Sequence, residues 1–138
     1  ELSKMLVKDG EGATKLIEIN VSGALSSLDA YLAVLAIAKS PLVKTAIFGE
    51  DANWGRIITA VGYSGASFDT EKVNITIGDL VVCKDGKGIG FNEETAKQIL
   101  SDKEITINVE FNQGNYSDRM WTCDFSYDYV KINGSYRS

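Results

Sequence analysis

Two stretches near the carboxyl end of the chain alternate apolar and polar residues, and this alternation constrains the fold more than any other feature. One stretch places apolar residues at every second position from Ile105 to Phe111, and the other does so from Trp121 to Tyr129. A period of two is typical of half-buried strands. The segment NQGNYS between them has the composition of a loop. The pattern therefore predicts a long antiparallel hairpin with one buried, aromatic face.

The first half of the chain mixes strand and helix patterns. Residues 15–22 alternate as a strand, which we expect to end at Gly23. Ser26 or Ser27 is a suitable cap for a helix that runs to about Lys39, because Pro41 disfavours helix at the residue before it. The apolar face predicted for this helix consists of Leu28, Tyr31, Leu35 and Ala38.

The middle of the chain contains further short elements. Periodicity alone leaves residues 42–48 open as a strand or a short helix. Asp51 or Asn53 can cap a helix over about 54–61. The stretch KVNITIGDLVVCKDGKG indicates two strands joined by a tight turn and followed by a loop. Asn92 is a suitable cap for another short helix.

This order of elements predicts an α+β fold with a mixed or antiparallel sheet and helices packed on one face. The chain has 138 residues, which is long enough to bury a sizeable core. It contains no linker rich in proline or serine. We therefore expect residues 1–138 to form a single domain.

The composition excludes several kinds of site. The chain has no histidine, so imidazole can serve neither as a general base nor as a metal ligand. Cys83 and Cys123 lack a CxxC partner, which argues against zinc and favours buried thiols in a reducing cytoplasm, although a disulfide stays open. The glycines of KDGKGIGF match neither phosphate-binding motif. The sequence thus predicts no metal and no cofactor.

Charge and hydropathy exclude two kinds of partner. The net charge of −5 disfavours nucleic acid, so we interpret the aromatic stripe of the last strands as sheet core and not as a stacking platform. No apolar run is long enough to span a bilayer, so we expect no membrane partner. The cytoplasmic location that we expect follows from the free thiols.

A carboxylate near the amino end raises a question of its own. Glu11 stands between Gly10 and Gly12, and these glycines let a second molecule come close to the backbone. A carboxylate held there can bind a cation, or it can be an ordinary solvated turn residue. The residues alone leave both interpretations open.

Several longer motifs resemble one enzyme family. The stretches VKDGEGATKLIEI, SPLVKTA, GEDANWGRIITAVGYSGA, CKDG, CDFSYDYVKIN and NGSYRS occur in this order along the chain. Together they resemble the ornithine acetyltransferase (glutamate N-acetyltransferase) family of arginine biosynthesis, over essentially all of the sequence.

The resemblance implies a mechanism based on a threonine. Members of the family cleave themselves before a threonine, whose hydroxyl then takes acetyl from N-acetylornithine and passes it to glutamate. Some members also accept acetyl-CoA. The cleavage segment is not among these residues, so the chain resembles the carboxyl-terminal part of the β chain. We expect no catalytic residue in it and no activity without the α chain and the rest of the β chain, in an assembly of two α and two β chains.

The resemblance also implies roles for three residues. Glu11 corresponds to a substrate-binding glutamate that pairs with an ammonium group, and Asn133 to a substrate-binding asparagine. Ser138 stands where the family has a terminal threonine that contacts substrate. The alternatives without a binding role are a turn residue for Asn133 and a frayed terminus for Ser138.

Other assignments stay open at this point. Trp54 and Arg56 either line the active site or, as we favour, hold a helix against the sheet, and Glu50, Asp51 and Arg56 can form a buried ion network. Two other functions compete with the transferase: a noncatalytic ligand-binding or assembly domain, and part of a related self-cleaving aminopeptidase.

Overall fold

The computed structural model describes residues 15–123, which contain four α-helices and a six-stranded sheet. Predictions that concern residues 1–14 or 124–138, such as the continuation of the last strand to Tyr129, lie outside this part of the chain. The elements are β1 (Leu16–Ala24), α1 (Ser27–Lys39), α2 (Pro41–Phe48), α3 (Trp54–Gly62), β2 (Asn74–Ile77), β3 (Leu80–Lys84), β4 (Lys87–Gly88), α4 (Glu93–Leu100), β5 (Glu104–Glu110) and β6 (Tyr116–Cys123). A short 3₁₀ turn, Thr70–Lys72, precedes β2.

The sheet is mixed, with the strand order β4-β3-β2-β5-β1-β6. β1 pairs with β5 in parallel and with β6 in antiparallel orientation. The predicted hairpin of the last two strands is therefore wrong, because β1 lies between them. Inserting β1 there pairs both of its edges, which a strand with fully buried side chains requires. Trp121 and Cys123 consequently lie on the opposite face of the sheet from Ile105 and Val109.

The predicted α+β class, with a mixed sheet covered by helices on one face, is confirmed. One sheet face and the inner sides of the helices form a single apolar cluster. Burying this much apolar surface supplies most of the favourable free energy of folding. The strand residues in the cluster include Ile17, Ile19, Val21, Ile75, Ile77, Ile105, Ile107 and Val109, and the helices add Ala30, Val34, Ile37, Ile57, Val61 and Leu100.

Helix α1 begins as predicted but turns a different face to the sheet. The Ser26 side chain accepts from the backbone N–H of Asp29, so Ser26 is the N-cap. The predicted apolar face is wrong at Leu28 and Tyr31, which are 62% and 44% exposed, and correct at Ala38, which is buried. The core-facing side chains are smaller, among them Ala30 and Ala33, and these let the helix approach the strands closely.

Capping residues define where the other helices begin. Ser40 ends α1 and also caps α2, whose first residue is Pro41, so residues 42–48 are helical. Asn53 caps α3 and Asn92 caps α4, as predicted. Each amide oxygen accepts from a backbone N–H three residues further along, which satisfies one of the unpaired donors at a helix start.

Two tight turns shape the β2–β3–β4 edge. The predicted turn at Gly78 joins β2 to β3, with Gly78 at φ +63°. The KDGKG loop is a second hairpin, because Asp85 and Gly86 both have positive φ angles (53° and 76°) and β3 pairs with β4 across them. Two successive left-handed residues match the twist of the flanking strands.

Candidate functional site

The three substrate-binding residues predicted from the sequence, Glu11, Asn133 and Ser138, lie outside the described residues. The structure describes the nearest strand residues on either side of them in the chain, which are Leu16 and Cys123. Leu16, at the start of β1, is paired with Cys123, at the end of β6. Paired residues on antiparallel strands have Cα atoms about 5 Å apart. The start of β1 and the end of the described part of β6 therefore lie side by side. We call this point the shared strand end.

Lys15 is the first described residue at the shared strand end. Its Nζ donates to the carbonyl oxygens of Ile47 at 3.0 Å and Leu100 at 2.6 Å. These carbonyls lie in the last turns of α2 and α4. A cation is favoured there, because the carbonyl end of a helix carries partial negative charge. Lys15 thus joins two helix ends to the start of β1.

Glu50 brings the GEDANWGR motif to the same place. Its Oε2 lies 3.8 Å from Nζ of Lys15. The predicted ion network of Glu50, Asp51 and Arg56 is wrong. Arg56 Nη1 donates to the carbonyl of Leu42 at 3.0 Å, and Asp51 is exposed. The sequence pattern missed Lys15 as a partner because the two residues are far apart along the chain.

Lys44 adds a second, deeply buried amine. It lies on α2 and is only 4% exposed. Burial lowers the pKa of its ammonium from 10.5 to about 8, because the charged form loses its hydration; Cys123 opposes this shift and Lys39 adds to it. The influence of Cys123 places Lys44 near the end of β6.

A small cavity opens on the other face of the sheet at the shared strand end. Its volume of about 30 Å³ suits one or two water molecules. Trp121 Nε1 donates to Oε1 of Glu18 at 3.1 Å within this wall. The lining residues are Leu16, Glu18, Glu104, Ile105, Thr106 and Trp121. An amino-acid substrate needs more room than these residues alone enclose.

A polar ladder continues from the cavity along this face of the sheet. Asn20 Nδ2 donates to Glu18 Oε2 and to Asn108 Oδ1, each at 3.0 Å. Arg119 Nε donates to Asn20 Oδ1 at 2.8 Å, and its guanidinium lies 5.8 Å from the centroid of the Trp121 ring. The polar positions of the alternating strands were the available signal for this ladder.

The contacts of Trp54 and Arg56 support the structural role favoured from the sequence. Trp54 lies directly against the backbone of Gly88, where an added Cβ would fall 2.5 Å from the indole ring. The ring therefore holds α3 against the β3–β4 hairpin. Cys83 and Cys123 are buried free thiols, as predicted, and burial raises the pKa of Cys83.

Within residues 15–123, no group of three or more Cys, Asp or Glu side chains is arranged to hold a metal ion. No single helix in the same range is long and apolar enough to cross a membrane. Helices α1 and α2 reach that length and composition only together, as a pair bent by 54°.

The chain is similar to proteins of one family. The model of the ArgJ family matches residues 1–138. The arginine biosynthesis bifunctional protein ArgJ of Caldanaerobacter subterraneus is 57% identical over 99% of this chain, and that of Clostridium acetobutylicum is 54% identical over all of it. The chain spans 35% of the length of each of these two curated relatives.

A solved structure is also similar. The arginine biosynthesis bifunctional protein ArgJ of Bacillus halodurans superimposes with a TM-score of 0.88 and 47% sequence identity. The match covers 98% of this chain and 64% of that one. The mixed sheet and its helices are thus the arrangement found in that protein.

Proposed function

Because the chain belongs to the ArgJ family, we propose that it is the carboxyl-terminal, substrate-binding part of a glutamate N-acetyltransferase that acts in cyclic arginine biosynthesis. The observation that carries this proposal is the match of the family model to residues 1–138, the whole of the sequence. The relatives that are about half identical to the chain carry arginine biosynthesis in their names.

The proposed reaction needs a nucleophile that these residues do not supply. A threonine hydroxyl in the preceding part of the protein attacks the acetyl carbonyl of N-acetylornithine, with the free amine of that threonine as base. The C–N bond of the amide breaks, the nitrogen takes up the proton, and ornithine leaves. The amine of glutamate then attacks the acetyl ester, which releases the threonine hydroxyl and N-acetylglutamate.

In this scheme the chain binds and orients substrate. The carboxylate of Glu11 pairs with the ammonium group of ornithine, and the flanking glycines allow close approach. The Asn133 amide donates to a substrate carboxylate while staying neutral, and the Ser138 hydroxyl provides a further contact. The pairing of Leu16 with Cys123 supports this grouping, because Glu11 precedes Leu16 by five positions in the chain and Asn133 follows Cys123 by ten.

Three further features belong to the proposal. The complete protein is cleaved into α and β chains and assembles as two of each. It works in the cytoplasm, where ornithine and glutamate are available. Acetyl-CoA is a second acetyl donor to be tested, because the family contains members with and without that activity.

The test uses the complete gene product with isotopically labelled N-acetylornithine. We expect transfer of the labelled acetyl group to glutamate, and an intact mass that reveals a second chain beginning with threonine. Glu11→Gln should raise the KM for N-acetylornithine by about tenfold or more, since a charge-assisted hydrogen bond to the substrate is lost. Glu110→Gln, at an exposed position at the end of β5, is the matched control.

Two results would contradict the proposal. One is the absence of acetyl transfer by the complete gene product. The other is a KM that Glu11→Gln leaves at the unmodified value. The 138-residue chain by itself should be inert toward both substrates, and adding the preceding part of the protein should restore transfer. Hydrolysis of peptides without acetyl transfer would point to the aminopeptidase alternative.

A further inference from the structure

We propose that two copies of the protein associate through the outer side of helix α1, which packs against the same helix of the second copy across a two-fold axis. This assigns a partner to a surface that the proposed function leaves unused. The proposal is based on the apolar side chains around α1, on the charges at its two ends and on the size of the exposed patch.

Helix α1 carries two apolar stripes with the same spacing. The stripe that faces the sheet is buried and consists of Ala30, Ala33, Val34 and Ile37. The second stripe starts two residues earlier and consists of Leu28, Tyr31, Leu32 and Leu35. We call it the outer stripe. Two residues of an α-helix correspond to a rotation of about 200°, so the outer stripe lies on the side opposite the sheet. A helix that is apolar on all sides is typical of one that is covered on all sides.

The outer stripe is part of a larger exposed apolar patch. Leu28 and Tyr31 are exposed, and so is Leu25, which precedes the helix. Tyr116 is 50% exposed and lies on β6 four residues before Met120, whose side chain packs against the core cluster. Side chains of one strand alternate between faces, so Tyr116 lies on the sheet face that α1 covers. These four exposed side chains present roughly 400 Å² of apolar surface, a size at which patches on monomers are often functional.

A second copy of α1 has the shape that fits the outer stripe. In an antiparallel pair of helices related by a two-fold axis, Leu28 faces Leu35 of the second copy, and Tyr31 faces Leu32 of the second copy. Because the axis repeats each contact, both form twice. The spacing i, i+3, i+4 and i+7 is also the one by which an amphipathic helix packs against an apolar surface.

The charges of α1 favour the antiparallel direction. Asp29 lies in the first turn and Lys39 is the last residue, and the helix contains no other charged residue. An antiparallel pair brings the basic end of each helix close to the acidic start of the other, and the two helix dipoles also run in opposite directions. A parallel pair would place like charges next to each other, which disfavours it.

The size of the patch agrees with a pair of copies. Apolar atoms contribute about 57% of the area of a typical interface, so roughly 400 Å² of apolar surface corresponds to about 700 Å² in total per copy. Stable complexes bury about 800 Å² per partner. The exposed patch around α1 is thus close to the size that a stable pair requires.

Leu28→Glu in the complete gene product is the main test. The substitution places a charge in the apolar contact, so we expect the particle mass in analytical ultracentrifugation to fall to half. Glutamate is favourable in the first turn of a helix, so α1 itself should fold. Tyr63→Lys is the matched control, because Tyr63 is exposed at the end of α3 and outside the patch, and lysine is favourable at that end of a helix. Its particle mass should equal that of the unmodified protein.

A pair of cysteines tests the register of the two helices. Leu28→Cys combined with Leu35→Cys should link two copies by disulfides after oxidation of the purified protein, since these positions face each other across the axis. Within one helix the two positions are about 10 Å apart along the helix, which is too far for a disulfide. Each single variant should stay unlinked, because its own counterpart lies about 10 Å away along the paired helices. Gel electrophoresis without reductant measures the linked fraction.

Three results would overturn the proposal. The first is an unchanged particle mass for folded Leu28→Glu protein. The second is a double cysteine variant that links no more than the single variants, and this result decides the matter if Leu28→Glu does not fold. The third is a Leu28→Glu protein that loses the rest of the ArgJ protein while the number of copies is unchanged, which would identify that part as the cover of the outer stripe. Acetyl transfer is measured separately, so a failure of the proposed function is visible without these variants.

Discussion

The two ends of strand β1 are built in opposite ways. At Gly23–Ala24, the loop after β5 lies across the end of β1 and is held by backbone hydrogen bonds, from Gln113 N and Gly114 N to the carbonyl of Gly23. At Leu16, charged side chains surround the strand end and a small cavity opens beside it. The first end is closed by close backbone contact, and the second is lined by charged and polar side chains.

This difference shows where the molecule gains stability and where it gives some up. The closed end depends on glycines, because an added Cβ at Gly114 would overlap the carbonyl oxygen of Ala24. The open end buries the ammonium of Lys44, which costs free energy as long as the group stays charged. Substitutions at the two ends should therefore differ in size and in their dependence on pH.

The largest effect is expected at the closed end. Gly23 has φ +71°, and a Cβ there would fall 2.7 Å from the backbone nitrogen of Asn112. Gly23→Ala should lower the free energy of unfolding by about 3 kcal/mol, since a left-handed alanine is strained and the loop must move. Denaturant unfolding measures this change.

Gly65→Ala is the control that separates backbone strain from overlap. Gly65 also has a positive φ of +88°, but the nearest atom to an added Cβ is a methyl of Leu32 at 3.8 Å. Gly65→Ala should therefore lower the free energy of unfolding by only about 1 kcal/mol. If both variants lower the free energy of unfolding equally, close contact between the loop and the end of β1 has no part in the effect.

The next effect is expected at the open end and depends on pH. Below pH 8, Lys44 is charged in the folded and the unfolded chain, so its burial penalty is fully present; above 10.5 both forms are neutral and the penalty is gone. Lys44→Met should thus stabilise the protein at pH 7 by up to about 3 kcal/mol.

Unfolding curves of the unmodified protein and of Lys44→Met between pH 6 and about 11 check this expectation. The advantage of Lys44→Met should shrink as pH rises from about 8 toward 10.5. A difference that stays constant over this range would mean that the lowered pKa of Lys44 has no part in stability.

The smallest effect is expected in the cavity wall. Trp121→Phe removes the donor that contacts Glu18 and keeps most of the ring, so the free energy of unfolding should fall by about 1 kcal/mol. Tyr116→Phe, at the exposed first residue of the same strand, should change it by less than about 0.5 kcal/mol. Thermal unfolding of both variants makes the comparison, and equal values would exclude a role for the Trp121–Glu18 contact.

Much of the fold follows from the sequence because it depends on local rules. The serine and asparagine caps and the position of Pro41 define where the helices begin. The alternation in residues 15–22 and 105–111 predicts two strands with one buried face each, and both are present. Local geometry sets these features, so neighbouring residues are enough to predict them.

The motifs of the chain also indicated its family without any structure. The residues that carry the resemblance are spread over the whole sequence, and the ArgJ family model covers the same range. The positions of Glu11, Asn133 and Ser138 in the proposed site lie outside the described residues and stay predictions.

Only the tertiary structure decided which strands are neighbours. The sequence placed the last two strands side by side because a short loop joins them, yet β1 lies between them and pairs with β5 residues that are 88 positions away in the chain. Strand order depends on long-range pairing that satisfies both edges of the most buried strand, and no local pattern encodes it. The same long-range packing brings Lys15 to Glu50 and pairs Leu16 with Cys123, and thereby creates the shared strand end.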